Sequence, residues 1–194
     1  MKLKNVLFLM SVMLVIVLPS FSQTKSIFPL NENGEIVYSG IINIDSVNSK
    51  ELYGRANEWF VNIFKSAKDV IQLNDKEAGK IIGKGNFNAG IAHCRAGMIH
   101  QPIYGVVNFT VEIQTKDGKY KYNFSNFQFK YLNTITGEDV DTDLTLSSFM
   151  FLKNKNWQTK WDMDWVDIKQ DINTKMLNII AELKKVMNTN KNSW

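Results

Sequence analysis

The stretch Val106–Gln114 alternates without a break. Val107, Phe109, Val111 and Ile113 share one parity, and Asn108, Thr110, Glu112 and Gln114 share the other. Successive strand side chains point to opposite faces, so this pattern demands a sheet with one buried side and one wet side. Parallel sheets bury both faces and lose the alternation; an antiparallel sheet covered on one side keeps it. Asp117-Gly118 follows as a strong two-residue hairpin signal. Lys119–Phe129 then returns, with Tyr120, Tyr122 and Phe124 on one parity and Phe127 and Phe129 on the other. A bulge near Ser125-Asn126 reconciles the two sets.

Such a sheet needs a cover, and Ser49–Gly85 supplies one. Leu52, Ala56, Trp59, Phe60, Ile63 and Phe64 fall at helical spacing, while Lys50, Glu51, Arg55, Asn57, Glu58 and Asn62 fill the rest of the wheel. Ser49 reads as the N-cap. Glu51 suits the positive end of the helix dipole, and Lys65 and Lys68 suit the other. A helix this short is marginal alone in water, so its stripe has to be buried. Val70–Asn74 and Lys80–Phe87 read as the next two strands, joined by a polar loop ending in Gly79. Gly83-Lys84-Gly85 lies inside that strand pattern and lacks the helix that a phosphate loop requires.

Two further elements complete the order. Glu35–Ile44 reads as a first strand, with Gly40 marking either a bulge or a close approach by the helix. Asp164–Met187 reads as a second long helix capped by Asp164. Its stripe is Trp165, Ile168, Ile172, Met176, Ile179, Ile180, Leu183 and Met187. Between the last strand and that helix, Lys130–Trp161 is irregular. Leu144–Leu152 fits a strand or a helical turn equally well, and Trp157, Trp161 and Trp165 are spaced by four. The reading is α+β: one antiparallel sheet, β-α-β-β-β-β-α in order 1-5-4-3-2, with two helices on one face.

The first residues have a different character. Lys2 and Lys4 precede the apolar run Val6–Leu18, which is short for a membrane span and ends at Pro19, Ser20 and Ser22. Residues 1–22 read as a secretory signal peptide, residues 23–34 as a lead-in, 35–187 as a single domain and 188–194 as a fraying tail. The expected location is therefore periplasmic or secreted, with no membrane segment after cleavage. The net charge of +4 would fall to +2 without the leader, too little for a nucleic-acid footprint. Arg55 and Arg95 are the only arginines and Cys94 the only cysteine, so bidentate phosphate recognition has few residues to draw on and an internal disulfide is excluded.

The runs ELYGRANEWFVNIFKSAKDVIQLNDKEAGKIIGKG and VVNFTVEIQTKDGKYKYNFSNFQF resemble the domain of unknown function 4468. That family is seen mainly in exported proteins of Bacteroidota. The resemblance spans Glu35–Phe129. It rests on Arg55-Ala56-x-x-Trp59-Phe60, then Gly79-Lys80-Ile81-Ile82-Gly83, then the Lys116–Tyr120 hairpin. It implies a TBP-like fold, as in one half of the TATA-binding protein, and carries neither DNA binding nor catalytic residues.

Two places hold candidate site residues. The segment Gly90–Gln101 gathers His93, Cys94, Arg95 and His100; the spacing matches no standard zinc pattern, and Arg95 would repel a cation or lower the thiol pKa. The polar parity of the sheet offers Asn108, Thr110, Glu112, Lys121 and Asn123 as a ligand-binding surface. Asp139, Asp141 and Asp143 alternate near Glu138, but the glycine and glutamate of a calcium loop are replaced by Leu144 and Met150. No cofactor and no metal is implied. The expectation is an exported, non-enzymatic cell-envelope module that binds a protein, glycan or small ligand. The alternatives are an apolar-ligand carrier with a cavity between sheet and helices, and a metal or thiol site at His93-Cys94-Arg95-His100.

Overall fold

A computed structural model of the chain describes residues 26–64, 67–92, 102–133, 138–145 and 155–189. Strand β1 (Tyr38–Asn43) leads into helix α1 (Ser49–Ile63), and a helical turn α2 (Ala67–Val70) follows. Strands β2 (Ile71–Asp75), β3 (Lys80–Ile91), β4 (Ile103–Lys116), β5 (Lys119–Asn133) and β6 (Glu138–Thr142) come next, and helix α3 (Lys155–Asn188) closes the order. All pairings are antiparallel and the sheet runs β1-β5-β4-β3-β2, with β6 also on β5.

The alternation in β4 decides which face is covered. Val107, Phe109, Val111 and Ile113 are buried beneath the helices, whereas Asn108, Thr110, Glu112 and Gln114 are only half-buried on the other side. Phe109 sits amid Phe64, Phe87, Phe124 and Phe127, with ring centroids 5.9–6.4 Å away. Trp59 of α1 meets Phe60, Phe64 and Phe124 edge-on. Helix α1 comes this close because β3 is bare beneath it. A Cβ on Gly83 would lie 2.6 Å from the Phe60 ring, and one on Gly85 would lie 2.6 Å from both Phe64 and Phe109. Rings therefore fill the described space between α1 and the sheet, where an apolar-ligand carrier would need a cavity.

Helix α3 lies beside α1 on the same face. Trp165, Ile168, Ile172, Met176, Leu183 and Met187 are buried, as their spacing requires. The expected cap Asp164 is instead a fully buried residue inside the helix, which begins at Lys155. Helix α1 is capped by Asn48, whose Oδ1 accepts from the Glu51 amide at 2.8 Å. Ser49 is drawn to the β4–β5 hairpin: its amide donates to Asp117 Oδ1 at 2.7 Å and its hydroxyl to the Thr115 carbonyl at 3.1 Å. The hairpin tip thus anchors the helix start, and a carboxylate meets the positive end of the dipole.

The polar side of the α1 wheel also needs correction. Arg55 is buried at 2% exposure. It donates to the Met187 carbonyl in the last turn of α3 at 2.6 Å and to Glu51 Oε1 at 2.5 Å. A guanidinium here satisfies an orphan carbonyl and complements the negative end of a helix dipole. Gly40 marks neither a bulge nor the helix; its Cβ would strike the ring of Tyr122, its cross-strand partner, at 2.8–2.9 Å. Val70 closes α2 instead of opening β2, and β1 is shorter than Glu35–Ile44, with Ile36 bridged to Leu30 outside it.

The largest departure lies after Phe129. Strand β5 continues to Asn133, and Glu138–Thr142 forms a sixth strand along it. Asp139 and Asp141, expected in a solvated acidic loop, are strand residues opposite Leu132 and Lys130. Aspartate is depleted in strands, so sequence pattern hides this one. The bulge in β5 falls at its expected place: Thr110 opposes Ser125 while Asn108 opposes Gln128, and Asn126 takes φ 56°.

Candidate functional site

The sheet register sorts the open face into cross-strand rows. Nearest the β4–β5 hairpin, Lys116 stands opposite Lys119. The next row is Ile41, Lys121, Gln114 and Lys80, and the one after it Ser39, Asn123, Glu112 and Ile82. Ser125, Thr110 and Lys84 come next, then Gln128, Asn108 and Asn86, then Asp141, Lys130, Val106 and Asn88. Beyond them, Tyr104 and Leu132 stand 58% and 54% exposed.

These rows bring together five of the residues expected to form a surface. Asn108, Thr110, Glu112, Lys121 and Asn123 share the open face within β4 and β5. Glu112, Gln114, Lys121 and Asn123 line a shallow depression of about 150 Å³. Glu112 is held on two sides, by Lys80 Nζ at 3.0 Å and by Gln114 Nε2 at 2.5 Å. Lys130 pairs with Asp141 at 3.6 Å. Among the described residues, the side chains of Lys84, Lys116, Lys119 and Lys121 meet no hydrogen-bond or ion-pair partner. The face is therefore cationic at the hairpin end, rich in amides and hydroxyls in the middle, and apolar with an aromatic ring at the far end.

The other expected group, His93, Cys94, Arg95 and His100, lies outside the described residues, as does the stretch 1–22 expected to be a leader. Among the described residues no three His, Cys, Asp or Glu side chains gather as a metal site would need. No described helix is long and apolar enough to cross a membrane.

One feature escapes sequence reasoning. Strand β4 occupies one edge of β5 along nearly its whole length, so β1 and β6 must share the opposite edge. Strand β1 covers Lys119–Phe124 and β6 covers Phe129–Asn133, leaving residues 125–128 between them. A cleft of about 340 Å³ opens at this gap, with Ser125, Asn126 and Phe127 as its floor, Glu35–Val37 on one side and Asp143–Thr145 on the other. The parity switch in β5 announces the bulge, but the gap exists only because of β6. Asp143 Oδ1 is engaged by the amide and hydroxyl of Thr145, and Glu35 Oε2 by the Asn31 amide group.

Residues 38–130 match the model of the family described as a domain of unknown function (DUF4468) with TBP-like fold. The domain over residues 38–130 is that of this family. A TBP-like protein from Parabacteroides distasonis has a similar fold, with a TM-score of 0.62 and 12% identity, over 86% of this chain and all of that one. A DUF4468 family protein from Bacteroides ovatus superposes with a TM-score of 0.55 and 18% identity, over 87% of this chain and 95% of the other. No curated protein sequence matches. At these identities the two structures bear on the fold alone. The residues that carry the resemblance are accounted for here by packing: Arg55 joins α1 to α3, Trp59 and Phe60 fill the core, and Gly83 admits the Phe60 ring. None of these side chains reaches the open face.

Proposed function

We propose that this DUF4468 protein is an exported, non-catalytic module of the cell envelope that binds its ligand on the open face of the sheet. One observation carries the binding reading. The two long helices lie on one side, and the other side presents half-buried and exposed polar residues over β3, β4 and β5, with a depression at Glu112, Gln114, Lys121 and Asn123. Folding does not require Asn108, Asn123 or Lys121 there, and loosely held amides and an unpaired cation are suited to a polar ligand. Export rests on Lys2, Lys4, the apolar run Val6–Leu18 and the small residues Ser20 and Ser22.

Nuclear magnetic resonance on isotope-labelled protein beginning at Gln23 tests the reading. The envelope of the native host is separated into polysaccharide, peptidoglycan, lipid and protein fractions, and each is titrated in. At least one should shift the amides of Asn108, Thr110, Glu112, Lys121 and Asn123. Shifts confined to the cleft at Ser125–Phe127, or no shift with any fraction, overturn it. Export is checked by sequencing the N-terminus of the native protein, which should begin at Gln23; a cytosolic product retaining residues 1–22 refutes it.

A further inference from the structure

We infer that the ligand of the open face is a linear acidic oligosaccharide, bound with its anionic end at the β4–β5 hairpin and a sugar ring on Tyr104. This rests on the open face being the binding surface. The argument is one of length, charge and donor type. Lys116 and Tyr104 are twelve residues apart on one strand, about 40 Å of extended chain, so the strip matches a linear ligand better than a compact one.

Net positive charge is confined to one end: farther along, Lys130 is paired with Asp141, and Asp139 adds a carboxylate. Five lysines (80, 84, 116, 119 and 121) stand with three carboxylates toward the hairpin. Glu112 is taken by Lys80 and Gln114, Asp75 by the amides of Glu77 and Ala78 in its own turn, and Asp117 by the Ser49 amide. The lysines at 84, 116, 119 and 121 are left for an anion. An ammonium on a flexible stem suits a carboxylate or phosphate as a point charge. Toward Asn86, Asn108 and Gln128 the strip turns neutral. Each amide there offers a donor pair and an acceptor side by side, which matches the paired hydroxyls of a sugar.

Exposed Tyr104 ends the strip with a ring against which the apolar face of a sugar can lie. A nucleic acid fits less well. It carries charge along its whole length and stacks on successive aromatic rings, whereas the middle of this strip has neither lysine pairs nor rings. Nor is an arginine placed there among the described residues, since Arg55 is buried against α3.

The test is an array of linear oligosaccharides, each in neutral form and with one terminal carboxylate or phosphate. A single-stranded dT oligonucleotide and anionic phospholipid vesicles are measured alongside. Binding should be confined to anionic glycans and should weaken as salt rises. Substituting Lys116→Gln, Lys119→Gln and Lys121→Gln together should cost about tenfold in affinity, the size expected of three exposed charge contacts. Lys50→Gln, on the exposed side of α1, should cost nothing, and Tyr104→Ala should weaken binding of the anionic glycans without changing its dependence on salt. Equal binding of neutral forms at the same amides removes the acidic ligand but leaves the open face as the site. So does tighter binding of dT or vesicles at those amides. If no glycan binds while a non-glycan envelope fraction shifts the face, this inference falls alone. If nothing shifts the face, both readings fall.

Discussion

The two sides of the sheet are made from the same strands, often from adjacent residues, yet they obey different rules. Under the helices, Phe109 touches four other rings and Gly83 and Gly85 are bare because Phe60 and Phe64 lie over them. One residue away, Asn108 and Thr110 face outward and are only half-buried. A side chain on the first side is fixed by its neighbours' shapes, and a change in volume is felt at once. A side chain on the second side is constrained by little except solubility and whatever it meets. Residue identity on the helix side therefore reports the fold, and residue identity on the open side is where a specific activity has room to reside.

The sharpest way to break this contrast is to substitute neighbours on β4. Phe109→Ala removes the ring at the centre of the aromatic cluster and should cost about 3–5 kcal/mol in urea unfolding. Asn108→Ala should change stability by no more than about 0.5 kcal/mol. If Asn108→Ala instead cost as much as a core truncation, the open face would be part of the folding core and the binding reading would lose its premise.

Arg55 tests the contrast from the other direction, as a charge on the side where shape is expected to rule. Arg55→Met keeps most of the volume but leaves the Met187 carbonyl without its donor and Glu51 without its partner. Loss of two bonds from a charged donor should destabilise by about 2 kcal/mol, and Arg55→Lys should recover only part, lacking the planar fork. The buried Nε has no hydrogen-bond partner, so the net cost stays below the sum of the two bonds. An Arg55→Met protein with unchanged stability would show that joining the helices is not what this arginine contributes.

The sequence makes most of the helix side legible. The stripes of α1 and α3, the β4 alternation, the β5 bulge and the order 1-5-4-3-2 all follow from periodicity and turn chemistry, because burial leaves a regular trace. Three things leave no such trace. Arg55 looks like any exposed helix cation until α3 is laid beside it. Strand β6 is written in Glu138, Asp139 and Asp141, residues chosen against in strands, and its pairing along an edge overrides propensity. The cleft at Ser125–Phe127 depends on where β1 stops and β6 starts, a relation between segments far apart in the chain. The open face is intermediate: its polar parity is readable, but the gradient from lysines to amides to Tyr104 appears only when the register aligns the strands.

The smallest effect separates residues within the helix side by whether their polar atoms are satisfied. Tyr38 and Tyr120 are both buried. The Tyr38 hydroxyl donates to Asn173 Oδ1 at 2.6 Å, while the Tyr120 hydroxyl has no partner. Tyr38→Phe should therefore lose about 1 kcal/mol, and Tyr120→Phe should gain a similar amount by removing an unpaired buried hydroxyl. Their titration adds a pH signature. Burial pushes the phenols of Tyr38, Tyr120 and Tyr131 above their ordinary value of 10.0. Above that pH the unfolded chain releases protons that the folded chain retains. The folded state then binds more protons and stability falls as pH rises. Lys169, lowered from 10.5 by burial beside Trp165, works in the opposite sense, because the unfolded chain binds the extra proton as pH approaches 10.5. One lysine against three phenols leaves a net loss above pH 10. Unfolding midpoints should therefore drop between pH 9 and pH 11, and Tyr120→Phe should flatten that drop as well as raise the midpoint at neutral pH. A Tyr120→Phe protein that is less stable at neutral pH would mean that the hydroxyl has a partner the packing conceals. The helix side would then hold one more buried polar contact beside those of Tyr38 and Arg55.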